Sequence, residues 1–308
     1  MPKTNDVLLL IRAIGQRNYE QAKRTVEMMI TNERGNNREQ VAKSLERALN
    51  QWPNMIELPR AISNLVYAEE PQRDMDSVYL SPTLSAEIAL FLNEWAKSEE
   101  IISAGLPIRN KILLAGPPGN GKTSLAEAMA KSLQLPFLPI KIHSLLESTL
   151  GDTSKNIGKL FDHAMSNNAL LFIDELDVIG SARQLANQSA MKEYNAITNT
   201  LLLSLDRLPD TSVVVGATNM PHALDDALER RFNLKLWLDN PSTQQILTYL
   251  VDYQQKHTVD FLENSNDMAS ELAGSPWSTV SEFCLNKHRD IILGVTGGVS
   301  KGWVGRCS

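Results

Sequence analysis

Ile112-Leu113-Leu114-Ala115, followed by Gly116-Pro117-Pro118-Gly119-Asn120-Gly121-Lys122-Thr123, decides the reading of this chain. A short apolar run breaks into a glycine-rich turn, and a helical pattern starts at Lys122. The turn fits GxxxxGK[ST], with the strand before it and the helix after it that the motif requires. Glycines let such a loop wrap tightly, so consecutive backbone N–H groups point inward at phosphate oxygens. The positive end of the following helix dipole adds to that attraction. The Lys122 ammonium then reaches the outer phosphates, and the Thr123 hydroxyl can ligate Mg²⁺. Gly116, Pro117, Pro118, Gly119, Asn120, Gly121, Lys122, Thr123 and Ser124 are the candidate nucleotide-binding residues.

Outward from this loop, apolar runs alternate with helical segments. The runs are Ile112–Ala115, Phe137–Ile142, Ala169–Ile173, Val213–Ala217 and Leu234–Leu238. They are continuous rather than alternating, as strands buried on both faces should be. Strands separated by helices predict an α/β fold, a five-stranded parallel sheet with helices on both sides. Ser81-Pro82-Thr83 opens a helix ahead of it, with Pro82 at a tolerated first-turn position. After Pro241 the strands stop, and the rest reads as helices up to about Leu293.

Two further strand ends carry chemistry. Leu170-Leu171-Phe172-Ile173 runs into Asp174-Glu175-Leu176-Asp177. In an open parallel sheet, ligands bind beyond the carboxyl ends of the strands. Asp174 is therefore a candidate metal ligand with Thr123, and Glu175 a candidate base for an attacking water. Asp177 reads as a cap or structural acid. Val213 to Asn219 forms a third strand end, where Asn219 can hydrogen-bond the water or the terminal phosphate. Ala227-Leu228-Glu229-Arg230-Arg231-Phe232 places two arginines before the last strand. Taken alone, they also suit a helix C-terminus.

The order and spacing of these segments resemble the AAA ATPase family of the AAA+ superfamily, from roughly Ser77 to Leu293. GPPGNGKT looks like Walker A, LLFIDELD like Walker B, and GATN like the sensor-1 segment. ALERRF is similar to the arginine-finger segment of the spastin- and katanin-type members, and Arg183 matches an arginine at the subunit boundary. The resemblance implies a P-loop αβα sandwich with a small C-terminal helical lid. It implies ATP and Mg²⁺ as cofactors and a hexameric homo-oligomer with ATP between neighbouring subunits. Lys122, Glu175, Asn219, Arg230 and Arg231 are then the catalytic set, with both arginines acting on the neighbour's site. The expected layout is an N-terminal helical module over 1–52, a linker over 53–80, the nucleotide-binding domain over 81–240, the lid over 241–293 and a glycine-rich tail over 294–308. In the module, Asn18 with Gln21 and Asn37 with Gln40 read as capping boxes.

Two departures from the family pattern stand out. Members that thread polypeptide carry an aromatic residue in the pore loop, where this chain has Thr149, followed by Leu150. Losing the ring removes most of the apolar grip on a substrate chain. In the lid, Gly274-Ser275-Pro276-Trp277-Ser278 resembles only loosely a Gly-x-Ser segment that contributes to nucleotide binding, and no sensor-2 arginine is evident. Gly274 and Ser278 are the residues there to watch for nucleotide contact.

Composition narrows the remaining classes. The 308 residues are 43% hydrophobic and 21% charged, which excludes a largely disordered or fibrous chain. A net charge of −6 argues against a nucleic-acid or anionic-membrane binder. The N-terminal apolar run Val7–Ile11 falls far short of the ~20 residues needed to span a bilayer. Cys284 and Cys307 have no metal or redox spacing and read as reduced thiols of a cytoplasmic protein. The five histidines form no metal set. ATP-driven remodelling of a protein substrate is the leading expectation. The alternative is an ATP-dependent assembly switch that recruits or regulates an effector without threading it.

Overall fold

The structure is a computed structural model that describes residues 4–15, 19–35, 38–50, 66, 71–140, 152–178, 188–261 and 264–294. Three helices come first: α1 (Thr4–Gly15), α2 (Tyr19–Gly35) and α3 (Glu39–Asn50). Val26, Ile30 and Ala42 form their small core, with Leu10, Leu45 and Leu49 packed around it. Asn18 and Asn37 lie outside the described residues, as do Thr149, Leu150 and Arg183.

The body follows as α4 (Pro82–Ala96), α5 (Ser98–Ser103), β1 (Lys111–Ala115), α6 (Lys122–Ser132) and β2 (Phe137–Ile140). It continues through α7 (Asp152–Ser166), β3 (Leu170–Ile173), α8 (Gln188–Asp206), β4 (Val213–Thr218), α9 (Asp226–Glu229) and β5 (Leu234–Trp237). The five strands are parallel, in the order β2-β3-β4-β1-β5. The expected α/β class and strand count therefore hold. Each strand lies within a residue or two of its apolar run, although residues 141–142 of the second run are outside the described set.

Alternation along the strands sends side chains to two cores. Ile112, Leu114, Leu170, Phe172, Val213 and Val215 pack with Leu84, Ile88 and Phe91 of α4 and Leu125 and Met129 of α6. Leu113, Leu171, Ile173 and Val214 pack on the other face with Ile157 and Phe161 of α7 and Ile197 and Leu201 of α8. A strand covered on both faces needs apolar residues at every position, which is why β3 and β4 read as unbroken runs. The run Leu234–Leu238 departs from that expectation: β5 lies at the sheet edge, with Lys235 and Trp237 exposed and Leu236 buried between them.

Beyond the sheet lie α10 (Thr243–His257), α11 (Ser265–Glu271) and α12 (Trp277–Leu293). Ile246, Leu250, Met268, Leu272, Val280 and Cys284 form a third core among them. Ser242 and Gln245 make a capping box at the start of α10, and Gly294 ends α12 in the left-handed region. The part of 53–80 that is described from residue 71 onward is fastened to α6. Glu127 accepts the Gln72 and Arg73 N–H groups at 3.0 and 3.2 Å, and the Lys131 ammonium lies 2.7 Å from Asp74.

Candidate active site

Strand order explains how the site assembles. β3, β4 and β1 are neighbours, with Ile173 beside Gly216 and Ala115 beside Thr218. The residues that follow each strand therefore emerge side by side at one rim. Those residues are Asp174 after β3, Asn219 after β4 and the glycine-rich loop after β1.

The loop has little freedom. Gly116 has φ +144°, and a Cβ there would lie 2.2 Å from the Leu238 carbonyl oxygen, so no side chain fits. Gly121 caps α6 in the left-handed region, which turns the chain sharply into the helix. Lys122 is 7% exposed, and its ammonium donates to the carbonyls of Gly116 and Pro117 at 2.8 and 2.9 Å. Burial pushes its pKa down, and the nearby Asp174 and Asp177 carboxylates pull it back up. A buried cation braced only by carbonyls gains by meeting an anion.

The Thr123 hydroxyl donates to Asp174 Oδ2 at 3.1 Å. This places a hydroxyl and a carboxylate oxygen together at the helix start, an oxygen donor set of the kind Mg²⁺ takes beside phosphates. Glu175 follows in the left-handed region at φ +54°, and its N–H donates to Asp174 Oδ1 at 2.9 Å. A non-glycine residue held there carries strain of about 1–3 kcal/mol, a cost that clusters at functional sites. Of the two adjacent carboxylates, Asp174 is engaged with Thr123 and Glu175 is half-buried.

Asp177 has a structural task. Its Oδ1 accepts from the buried Thr218 hydroxyl at 2.8 Å and from the Asn219 N–H at 3.1 Å. Thr218 Oγ1 in turn accepts the Met220 N–H at 3.0 Å. Asp177 thus locks the chain as it leaves β4 and fixes where Asn219 sits. The sequence shows an acid at this position, but its partner lies 41 residues on, beyond the reach of local pattern.

The arginine pair divides. Arg231 Nε and Nη2 donate to the two carboxylate oxygens of Asp206 at 2.9 and 3.2 Å. Its Nη1 donates to the Ala227 carbonyl at 3.4 Å. The guanidinium holds the Asp206 carboxyl below the usual carboxylate range. Arg230 is exposed and has no ion pair among the described residues. In the lid, Ser278 donates its N–H to the Gly119 carbonyl and Gly274 accepts from Asn240, so both sit against the loop or its neighbours.

Fold and rim together define a P-loop nucleotide-binding protein with a separate helical lid. Residues 112–240 match the family described as "ATPase family associated with various cellular activities (AAA)". The chain is 30% identical over 285 residues to the uncharacterized AAA family ATPase y4kL of Sinorhizobium fredii, covering 89% of this chain and 85% of that one. It is 32% identical over 186 residues to a putative 26S proteasome regulatory subunit homolog of Methanocaldococcus jannaschii, covering 59% of this chain and 50% of that one. It is 39% identical over 153 residues to the ribosome biogenesis ATPase RIX7 of Saccharomyces cerevisiae, covering 47% of this chain and 18% of that one. The chain belongs to the AAA family and is an ATP-hydrolysing enzyme.

Proposed function

We propose that the chain hydrolyses ATP as a homo-oligomer, a hexamer by family resemblance, and uses the cycle to remodel a protein substrate or complex. The observation that carries this reading is the Thr123–Asp174 contact at the mouth of the loop that buries Lys122, with Glu175 held next to Asp174 in the left-handed region. In this reading the loop N–H groups and Lys122 hold the triphosphate, and Thr123 and Asp174 hold Mg²⁺. When bound, that ion neutralises charge on the phosphate oxygens. Glu175 accepts a proton from water as its oxygen attacks the terminal phosphorus. The bond to the bridging oxygen breaks, leaving ADP and inorganic phosphate. Asn219, fixed by Asp177, orients the water.

Arg230 supports the proposal that a neighbouring subunit supplies a further cation to this rim. Exposed and without an ion pair among the described residues, it is available to a neighbour's site. Arg231, braced by Asp206, sets the turn that presents it. The relatives named for proteasome regulation and ribosome biogenesis support work on protein assemblies rather than on small molecules. Among the described residues no helix is long and apolar enough to cross a membrane.

The direct test is electron microscopy of Glu175→Gln protein with ATP and Mg²⁺. A closed ring or spiral, with nucleotide at the subunit boundaries and polypeptide in its channel, is the expected image. A ring that binds a partner only on its outside would favour the assembly switch, and a persistent monomer would overturn both.

A further inference from the structure

The last lid helix begins without a cap of its own. Pro276 occupies the N-cap position of α12 and contributes no side-chain hydrogen bond. The first N–H groups of a helix need acceptors from outside it. Here they find them on the phosphate loop. The Trp277 N–H donates to Asn120 Oδ1 at 3.2 Å, and the Ser278 N–H donates to the Gly119 carbonyl at 3.0 Å. The loop that is to hold phosphate is also the N-terminal cap of α12.

Asn120 is the centre of this contact. It is 4% exposed, and its Nδ2 donates to Asn240 Oδ1 at 2.8 Å and reaches the Leu238 carbonyl at 3.5 Å. Asn240 Nδ2 donates in turn to the Gly274 carbonyl at 2.8 Å. A chain of hydrogen bonds thus runs from the loop to the chain beyond β5, and from both to the residues that open α12. An amide offers an acceptor to Trp277 and donors to Asn240 at once; a carboxylate lacks the donors and an aliphatic side chain lacks both. Gly119 lets the surfaces close, since a Cβ there would stand 2.3 Å from Ser278 Oγ.

A second tether joins the lid to the body, and it reaches both α10 and the first residue of α12. The Tyr79 hydroxyl donates to Asp252 Oδ2 of α10 at 3.0 Å; burial, with that bond second, pushes its pKa up to about 12. Its ring lies 4.9 Å from Tyr249 and 5.4 Å from Trp277, centroid to centroid. Residues 72–74 just before it are fastened to α6. The lid is therefore held at an aromatic pivot and at a polar clasp, and only the clasp involves loop groups beside the phosphate cradle.

We propose that Asn120 is a positioning residue that couples the phosphate loop to the lid, with Asn240 as its partner. Filling the loop shifts Gly119 and Asn120, and the clasp passes that shift to the start of α12 while the Tyr79 pivot holds. The proposal rests on the reading of the loop as a nucleotide site.

Amide hydrogen exchange at residues 277–280, with and without ADP and Mg²⁺, tests it. ADP binding is measured separately by calorimetry. In wild-type protein, exchange at these amides changes on ADP addition. Without nucleotide, Asn120→Ala and Asn240→Ala each speed it about tenfold while residues 246–253 keep their protection. With ADP bound, both variants lose most of the nucleotide-induced change at 277–280. Asn120→Asp, which keeps the acceptor for Trp277 but drops the donor to Asn240, falls between. Variants that exchange like wild type without ADP, or that bind ADP and keep the full response, would overturn the coupling. Asn240→Ala lies outside the loop and carries the test if Asn120→Ala fails to fold. Undiminished ADP binding by Lys122→Ala would instead remove the nucleotide reading beneath the proposal.

Discussion

The rim built from β1, β3 and β4 and the turn before β5 present opposite kinds of polar group. Along the rim, Lys122 is bonded to carbonyls of its own loop, while Thr123 with Asp174, and Asp177 with Thr218, are bonded across elements far apart in sequence. At the turn, one arginine is tied by two bonds to Asp206 while its neighbour stands exposed. We read the rim as preorganised to receive an anion and the turn as offering a cation elsewhere. In the proposed function, each subunit holds one half of a reaction centre and its neighbour completes it.

The contrast breaks most visibly at Glu175. Glu175→Gln should cut turnover by about 10²–10⁴-fold, in line with loss of a general base, while leaving ATP binding intact. Phosphate release and equilibrium binding measured on the same protein check both parts. Normal turnover would remove Glu175 from its role.

Mixing sharpens the comparison. Arg230→Ala and Lys122→Ala proteins should each be nearly inactive alone, with losses on the order of 10²-fold or more. Mixed together, they should recover activity wherever a wild-type arginine faces a wild-type loop. No recovery in oligomers shown by native mass spectrometry to be mixed would confine Arg230 to its own subunit.

Asp177→Ala should act on stability first. It strips the buried Thr218 hydroxyl and the Asn219 N–H of their acceptor, a loss of about 1–3 kcal/mol. Urea unfolding reads that loss, and turnover should fall with it as Asn219 loses its support. Asp177→Asn keeps an acceptor and should recover part of both.

The smallest effect belongs to the Asp206–Arg231 pair, which is solvent-exposed and weak. Arg231 lowers the folded-state pKa of Asp206, so the pair contributes fully above the ordinary carboxylate pKa. That contribution disappears as pH falls through the lowered value. Asp206→Asn should therefore shift melting temperature slightly at neutral pH and converge with wild type in strong acid. An equal shift at every pH would show that the ion pair is not its source.

How much of this was legible in the sequence follows from distance along the chain. The loop, the acidic strand end and the five apolar runs are local signals, because a buried strand and a glycine turn each need particular residues side by side. The strand order was not legible, since a run such as Leu170–Ile173 carries no mark of its neighbour. Asp177 was visible only as an acid of structural kind, because Thr218 meets it through the sheet. Arg230 and Arg231 read as equals until Asp206 distinguished them. Asn120 read as one more loop residue, and its bonds to Asn240 and Trp277 depend on how the lid folds back.

The most direct test of the half-centre account is ATP turnover per subunit as wild-type protein is diluted, with assembly followed in parallel by light scattering. The account predicts that turnover falls together with the assembled fraction and returns on reconcentration. Full turnover in a preparation that stays monomeric, unchanged by dilution, would contradict it.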